Sequence, residues 1–143
     1  MKFTEVKKAR PWLLVFDGGD DVLEVLRRFA GEQGIRGGWF TAIGALDQAA
    51  IAYWNAESLQ YERIDIREQV EVLAFTGDIG MENDAVKIHA HVVLGRRDGA
   101  AIGGHFLSGR VFPTLEMNLT DFGMPVARRR DARAGLSLIS LAP

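Results

Sequence analysis

The chain of 143 residues contains no cysteine, which excludes disulfides, thiolate nucleophiles and thiolate metal ligands. No apolar run approaches the roughly 20 residues needed to cross a bilayer. The apolar stretch near the N-terminus, Trp12 to Phe16, is too short for a signal-peptide core. Both absences predict a cytoplasmic protein with no membrane partner. An excess of charge of one sign is lacking as well: 17 Lys and Arg face 19 Asp and Glu, for a net charge of −2. That balance argues against a strongly electrostatic nucleic-acid binder. Histidine is scarce, with three in the whole chain.

What is present suits an ordinary globular protein, with 48% apolar and 25% charged residues. The length fits one compact domain over residues 1–143. "WLLVF" reads as a buried strand ending at Asp17-Gly18-Gly19. "DDVLEVLRRFAGEQGI" places Val22, Val25, Leu26, Phe29 and Ala30 at helical spacing. Asp21 and Glu24 form a capping-box pattern at its start, and Gly31 or Gly34 can end it. The Gly-Gly join before the helix reads as a turn, because two adjacent aspartates there would repel a phosphate.

A short strand is predicted over Trp39–Ile43, ending at Gly44. Further strands are predicted near 45–54, 58–67, 70–78, 86–95, 100–107, 110–120 and 135–141, rich in β-branched or aromatic residues between turn signals. The expected fold is α+β, a largely antiparallel sheet system with one main helix near the N-terminus.

All three histidines fall in "HAHVVLGRRDGAAIGGH", residues 89–105. Strand alternation puts His89 and His91 on one face. If Arg97-Asp98-Gly99 is a three-residue hairpin loop, Gly99 takes its left-handed position and Arg96 pairs with Ala100. His91 then lies opposite His105, with Cβ atoms roughly 5 Å apart and the diagonal His89 roughly 7 Å away. A loop of two or four residues, or a bulge at Gly103-Gly104, would instead turn His105 to the other face. In the convergent register the three imidazoles form a candidate metal site. Imidazoles without thiolates suit Zn²⁺, with Ni²⁺, Cu²⁺ or Fe²⁺ as other divalent candidates. Three protein ligands leave a coordination position open.

"IGAL" (43–46), "HAHVVLGRRDGAAIGGH" (89–105) and "PTLEMNL" (113–119) together resemble the PPC domain, "plants and prokaryotes conserved". The helix falls where that family has its helix, so the resemblance covers nearly the whole chain. The resemblance implies an α+β domain that assembles as a homotrimer, with metal-candidate histidines at His89, His91 and His105. Plant relatives carry an AT-hook that binds DNA, but this chain has no Arg-Gly-Arg-Pro hook. Minor-groove binding therefore does not carry over.

Other residues invite chemistry less strongly. Glu116 matches a glutamate typical of the family. If Ser108-Gly109 is a two-residue turn, Glu116 lies opposite Ala101, roughly 13 Å along from His105. There it is outside ligand range and reads as an interface carboxylate paired with an arginine. Ser108 would sit in that turn, and no acid partner for a hydrolase triad is evident. Arg128, Arg129, Arg130 and Arg133 read as a solvated loop or subunit contact rather than a phosphate site. Trp12, Trp39, Tyr53 and Trp54 read as core or subunit-contact residues rather than a ligand pocket.

Three functions follow as expectations. The first is a homotrimeric zinc-bearing module that binds a small ligand or a protein. The second is a DNA-binding regulator, and the third a zinc-dependent hydrolase or lyase. The first is preferred, and the sequence leans against an enzyme because no acid or base is evident beside the histidines.

Overall fold

The computed structural model describes residues 4–141. Strand β1 spans Arg10–Asp17, helix α1 Val22–Glu32, β2 Gly38–Asn55 and β3 Gln60–Ile66. They are followed by β4 over Val70–Glu82, β5 over Ala85–Gly95 and β6 over Ala101–Asp121. A C-terminal hairpin consists of β7, Arg128–Asp131, and β8, Leu136–Ile139. Every pairing between these strands is antiparallel. Strands β2, β4, β5 and β6 pair in a closed ring. Closure satisfies edges that would otherwise be open to other chains. Outside the ring, β1 runs along the second half of β6, and β3 along the second half of β2.

The interior follows from strand alternation. Phe40, Phe75 and Phe106 meet with ring centroids 5.4 and 4.7 Å apart. Ile51, Leu94, Leu115, Met117 and Leu119 fill the space around them and are fully buried. Helix α1 buries Val22, Leu26 and Ala30, one stripe at a spacing of four, and packs on β5 and β6. Its cap is as read: the Glu24 N–H donates to Asp21 Oδ1 at 2.9 Å. The helix ends in a Schellman motif, with Gly34 at φ 66° and the Ile35 N–H donating to the Ala30 carbonyl at 2.8 Å. Ile35 thereby anchors the exit from the helix in the core.

Three expectations need correction. The strands read separately on either side of Gly44 are one strand, β2, with a bulge between Ala42 and Leu46. Gly44 has φ 151°, and a Cβ there would lie 2.3 Å from the Thr114 carbonyl oxygen. It marks a bend under close contact rather than a strand end.

The expected turn at Ser108-Gly109 does not exist. Strand β6 runs through it, pairing Ser108 with Ala50 and Gly109 with Ala49. Gly109 is small because a Cβ would press on the Phe106 ring at 2.8 Å and on Leu46 at 2.9 Å. Its role is packing, so Glu116 is not folded back towards Ala101. Instead Glu116 lies between Val15 of β1 and Ile43 of β2.

The arginine cluster is solvated only in part: Arg129, Arg130 and Arg133 are exposed, and Arg133 lies in a turn. Arg128 is buried, and strand β7, which had not been anticipated, carries it.

Candidate metal centre

Along β5 the buried residues Ile88, Ala90 and Val92 alternate with His89 and His91, which face outward. The following loop takes the three-residue form: the Arg96 N–H donates to the Ala100 carbonyl at 2.8 Å, and Gly99 adopts φ 83°. The Ala100 N–H also donates to Asp98 Oδ1 at 2.9 Å, which closes the turn locally. Regular pairing through Gly103 and Gly104 then sets His91 opposite His105, as the loop length predicted.

The three rings cluster with centroids 5.1, 5.2 and 5.4 Å apart. Each offers a nitrogen within 4.8 Å of the other two. Modest ring rotation brings such atoms to a common point at metal–nitrogen distances of about 2.0–2.1 Å. The donor chemistry agrees with that fit, because His105 Nδ1 is buried with no hydrogen-bond partner. A buried polar atom left unpaired is costly, and a cation bound at the cluster is one way to satisfy it.

Burial, with the nearby His89 and His91, pushes His105 down to about 4. Burial and then the neighbouring His89 also lower His91. Both rings are therefore neutral near pH 7, with lone pairs to donate.

Strand pairing adds a supporting layer that sequence reading missed. Asp78 of β4 lies opposite His89, and Thr76 opposite His91. Asp78 Oδ2 is 3.4 Å from His89 Nδ1, at the long end of contact, the place a supporting carboxylate takes beside a metal-ligating histidine. Arg128 grips the same carboxylate with Nη2 at 2.6 and 2.7 Å from its two oxygens, and donates through Nη1 to the Ser137 carbonyl at 2.8 Å. Burial raises the Asp78 pKa, but hydrogen bonds from His89 and Arg128 outweigh it and leave the carboxyl more acidic than usual.

Tyr61 of β3 stacks on His105 at 4.6 Å, and Trp54 meets Tyr61 edge-on at 4.8 Å. A signal for Asp78 was present in "MENDAV": Asn83 and Asp84 both take positive φ, the pattern of a two-residue hairpin turn. Counting back from Glu82 opposite Ala85 sets Asp78 against His89. Tyr61 and Arg128 had no comparable local signal.

The His91–His105 pair is also where β5 and β6 part. Pairing between them covers only His91 to Gly95, while β6 continues along β2. The split opens a groove of about 1010 Å³ lined by the histidines, Asp78, Tyr61, Trp54 and the β7–β8 hairpin. Trp39 lines it too, whereas Trp12 packs on Phe29 at 5.3 Å and Tyr53 is exposed. Glu116 is remote, eleven positions along β6 and exposed.

Known proteins share this fold. The model of the Plants and Prokaryotes Conserved (PCC) domain matches residues 3–123. A metal-containing protein from Archaeoglobus fulgidus shares 32% identity at a TM-score of 0.91, covering 99% of this chain and all of that one. A plant- and prokaryote-conserved (PPC) protein from Pyrococcus horikoshii shares 27% identity at a TM-score of 0.87, over 94% and 93% of the two chains. A protein from Bacteroides thetaiotaomicron, described as a candidate DNA-binding protein, shares 27% identity at 0.88, over 91% of each. No protein of curated function matches the chain.

Proposed function

The chain belongs to the Plants and Prokaryotes Conserved family, and on that premise we propose that His89, His91 and His105 hold one zinc ion in a homotrimeric cytoplasmic module that binds a small ligand. The observation that carries the reading is the convergence of three imidazole nitrogens within 4.8 Å, with a buried and unpaired Nδ1 on His105. A zinc ion on three histidines supplies a Lewis-acidic centre with one position open to an outside ligand. The chain's own residues do the positioning: Asp78 and Arg128 orient His89, and Tyr61 fixes the plane of His105.

A binding role fits better than hydrolysis. The carboxylates lining the groove are already engaged, Asp78 by Arg128 and Glu82 by Lys87 at 3.6 Å. Glu116 is too far away to serve as a base. DNA binding, the description given to the Bacteroides relative, has little support in the charges of this chain. Arg128 is buried in its ion pair, and Arg129 and Arg130 are successive strand residues that face opposite ways.

The trimer reading is supported by an exposed apolar patch around Glu116. Leu13, Val15 and Ile43 are 71, 62 and 60% exposed there, on β1 and β2, which flank β6 on either side of Glu116. Such patches mark contact surfaces.

Cobalt substitution tests the metal site. Uptake of Co²⁺ should give the intense visible bands of a tetrahedral ion, lost in His91→Ala. The weak spectrum of hydrated cobalt would contradict the reading. Sedimentation equilibrium tests assembly: the parent should run as a trimer and Ile43→Asp as a smaller species.

A further inference from the structure

The groove holds more positive charge than its own residues neutralise. Arg128 and Lys87 have carboxylate partners in Asp78 and Glu82. Arg27 on α1 and Arg130 on β7 line the same groove, are exposed, and form no ion pair or side-chain hydrogen bond among the described residues. An imidazole that ligates a metal does so as a neutral donor, so a divalent ion held by the three histidines would keep its full charge. The same groove also has apolar lining: Trp54, Leu59 and Leu138 contribute to it, and Leu59 and Leu138 are 45 and 43% exposed. Its volume of about 1010 Å³ accommodates a small organic molecule.

We propose that the groove binds a small organic carboxylate, with its charged end towards the histidine cluster and the two arginines. Its apolar body lies against Trp54, Leu59 and Leu138. This rests on the zinc reading for one of its two sources of positive charge, and the arginines are the independent other. A carboxylate fits better than an inorganic phosphate because the apolar wall requires a carbon body. A phosphate would want converging backbone N–H donors, and the α1 N-terminus is already capped by Asp21.

Calorimetric titration with benzoate, its neutral counterpart benzamide and inorganic phosphate tests the proposal, with zinc content measured in every sample. The proteins are the zinc-loaded parent, the metal-free parent and an Arg27→Gln/Arg130→Gln double variant, whose changes are on exposed side chains. In the zinc-loaded parent benzoate should bind at least about tenfold more tightly than benzamide or phosphate, and the double variant should weaken benzoate about tenfold. Equal binding of benzoate and benzamide, tighter binding of phosphate, or no effect of the double variant would overturn the proposal. If the parent takes up no zinc, the metal reading fails by itself. Arginine-dependent benzoate binding to that metal-free protein would still uphold the carboxylate site, and its absence would overturn both.

Discussion

Replacing Arg128 with methionine should be among the most damaging single changes outside the core, although the residue belongs to an arginine-rich segment near the C-terminus. Arg128 and Asp78 are 7 and 8% exposed, and the guanidinium spans both carboxylate oxygens. Removing it leaves a buried carboxylate whose remaining contact is His89 at 3.4 Å. Breaking such a pair costs about 3–5 kcal/mol, because the abandoned charge stays desolvated. Arg110 with Asp47, also bidentate but exposed, should contribute far less, because water screens the charges and hydrates the aspartate once the arginine is gone. For a chain of this size the larger cost lowers Tm by roughly 10–15 °C.

Urea and thermal unfolding of Arg128→Met and Arg110→Gln, at one fixed protein concentration, measures the contrast. An Asp78→Asn/Arg128→Met double variant should recover part of the loss, since no lone charge remains. The reasoning is refuted if Arg128→Met costs no more than Arg110→Gln, or if the double variant is worse than the two single changes added together.

Acid should weaken the metal-free protein through His105. Its folded pKa of about 4 lies below the roughly 6.5 of an unfolded histidine, so the unfolded chain binds more protons between those values. The stability contribution is complete above about pH 6.5 and declines as the pH falls towards 4. Urea midpoints between these limits should fall more steeply for the parent than for His105→Ala, and parallel curves would contradict this. Two glycine substitutions should separate strain from contact. Gly99→Ala meets nothing within 4 Å and should cost only about 1–2 kcal/mol for its left-handed backbone. Gly44→Ala adds a collision with the Thr114 carbonyl and should cost clearly more, or prevent folding, as read by thermal melts and expression of folded protein.

The sequence was most informative where structure is local. The α1 cap, the Gly99 turn and the two-residue alternation of β5 each depend on a few neighbouring residues. Together they are enough to bring His91 opposite His105. The reading failed where distant packing decides what a residue does. Gly109 looks like a turn glycine, but it is required by Phe106 and Leu46 pressing against an uninterrupted strand. Arg128 looks solvated among its arginine neighbours until the fold supplies Asp78, fifty positions earlier. The Tyr61–His105 stack also depends on strand order, because β3 reaches the site only through its pairing with the far end of β2. Composition and periodicity carry no record of such contacts.

Elemental analysis of protein purified without a metal-affinity tag, beside a His91→Ala/His105→Ala double variant, tests the central claim most directly. The account predicts about one zinc ion per chain in the parent and none in the folded variant. A parent that is metal-free as purified and takes up no added zinc would contradict it, leaving the three histidines as sheet residues with no metal to hold.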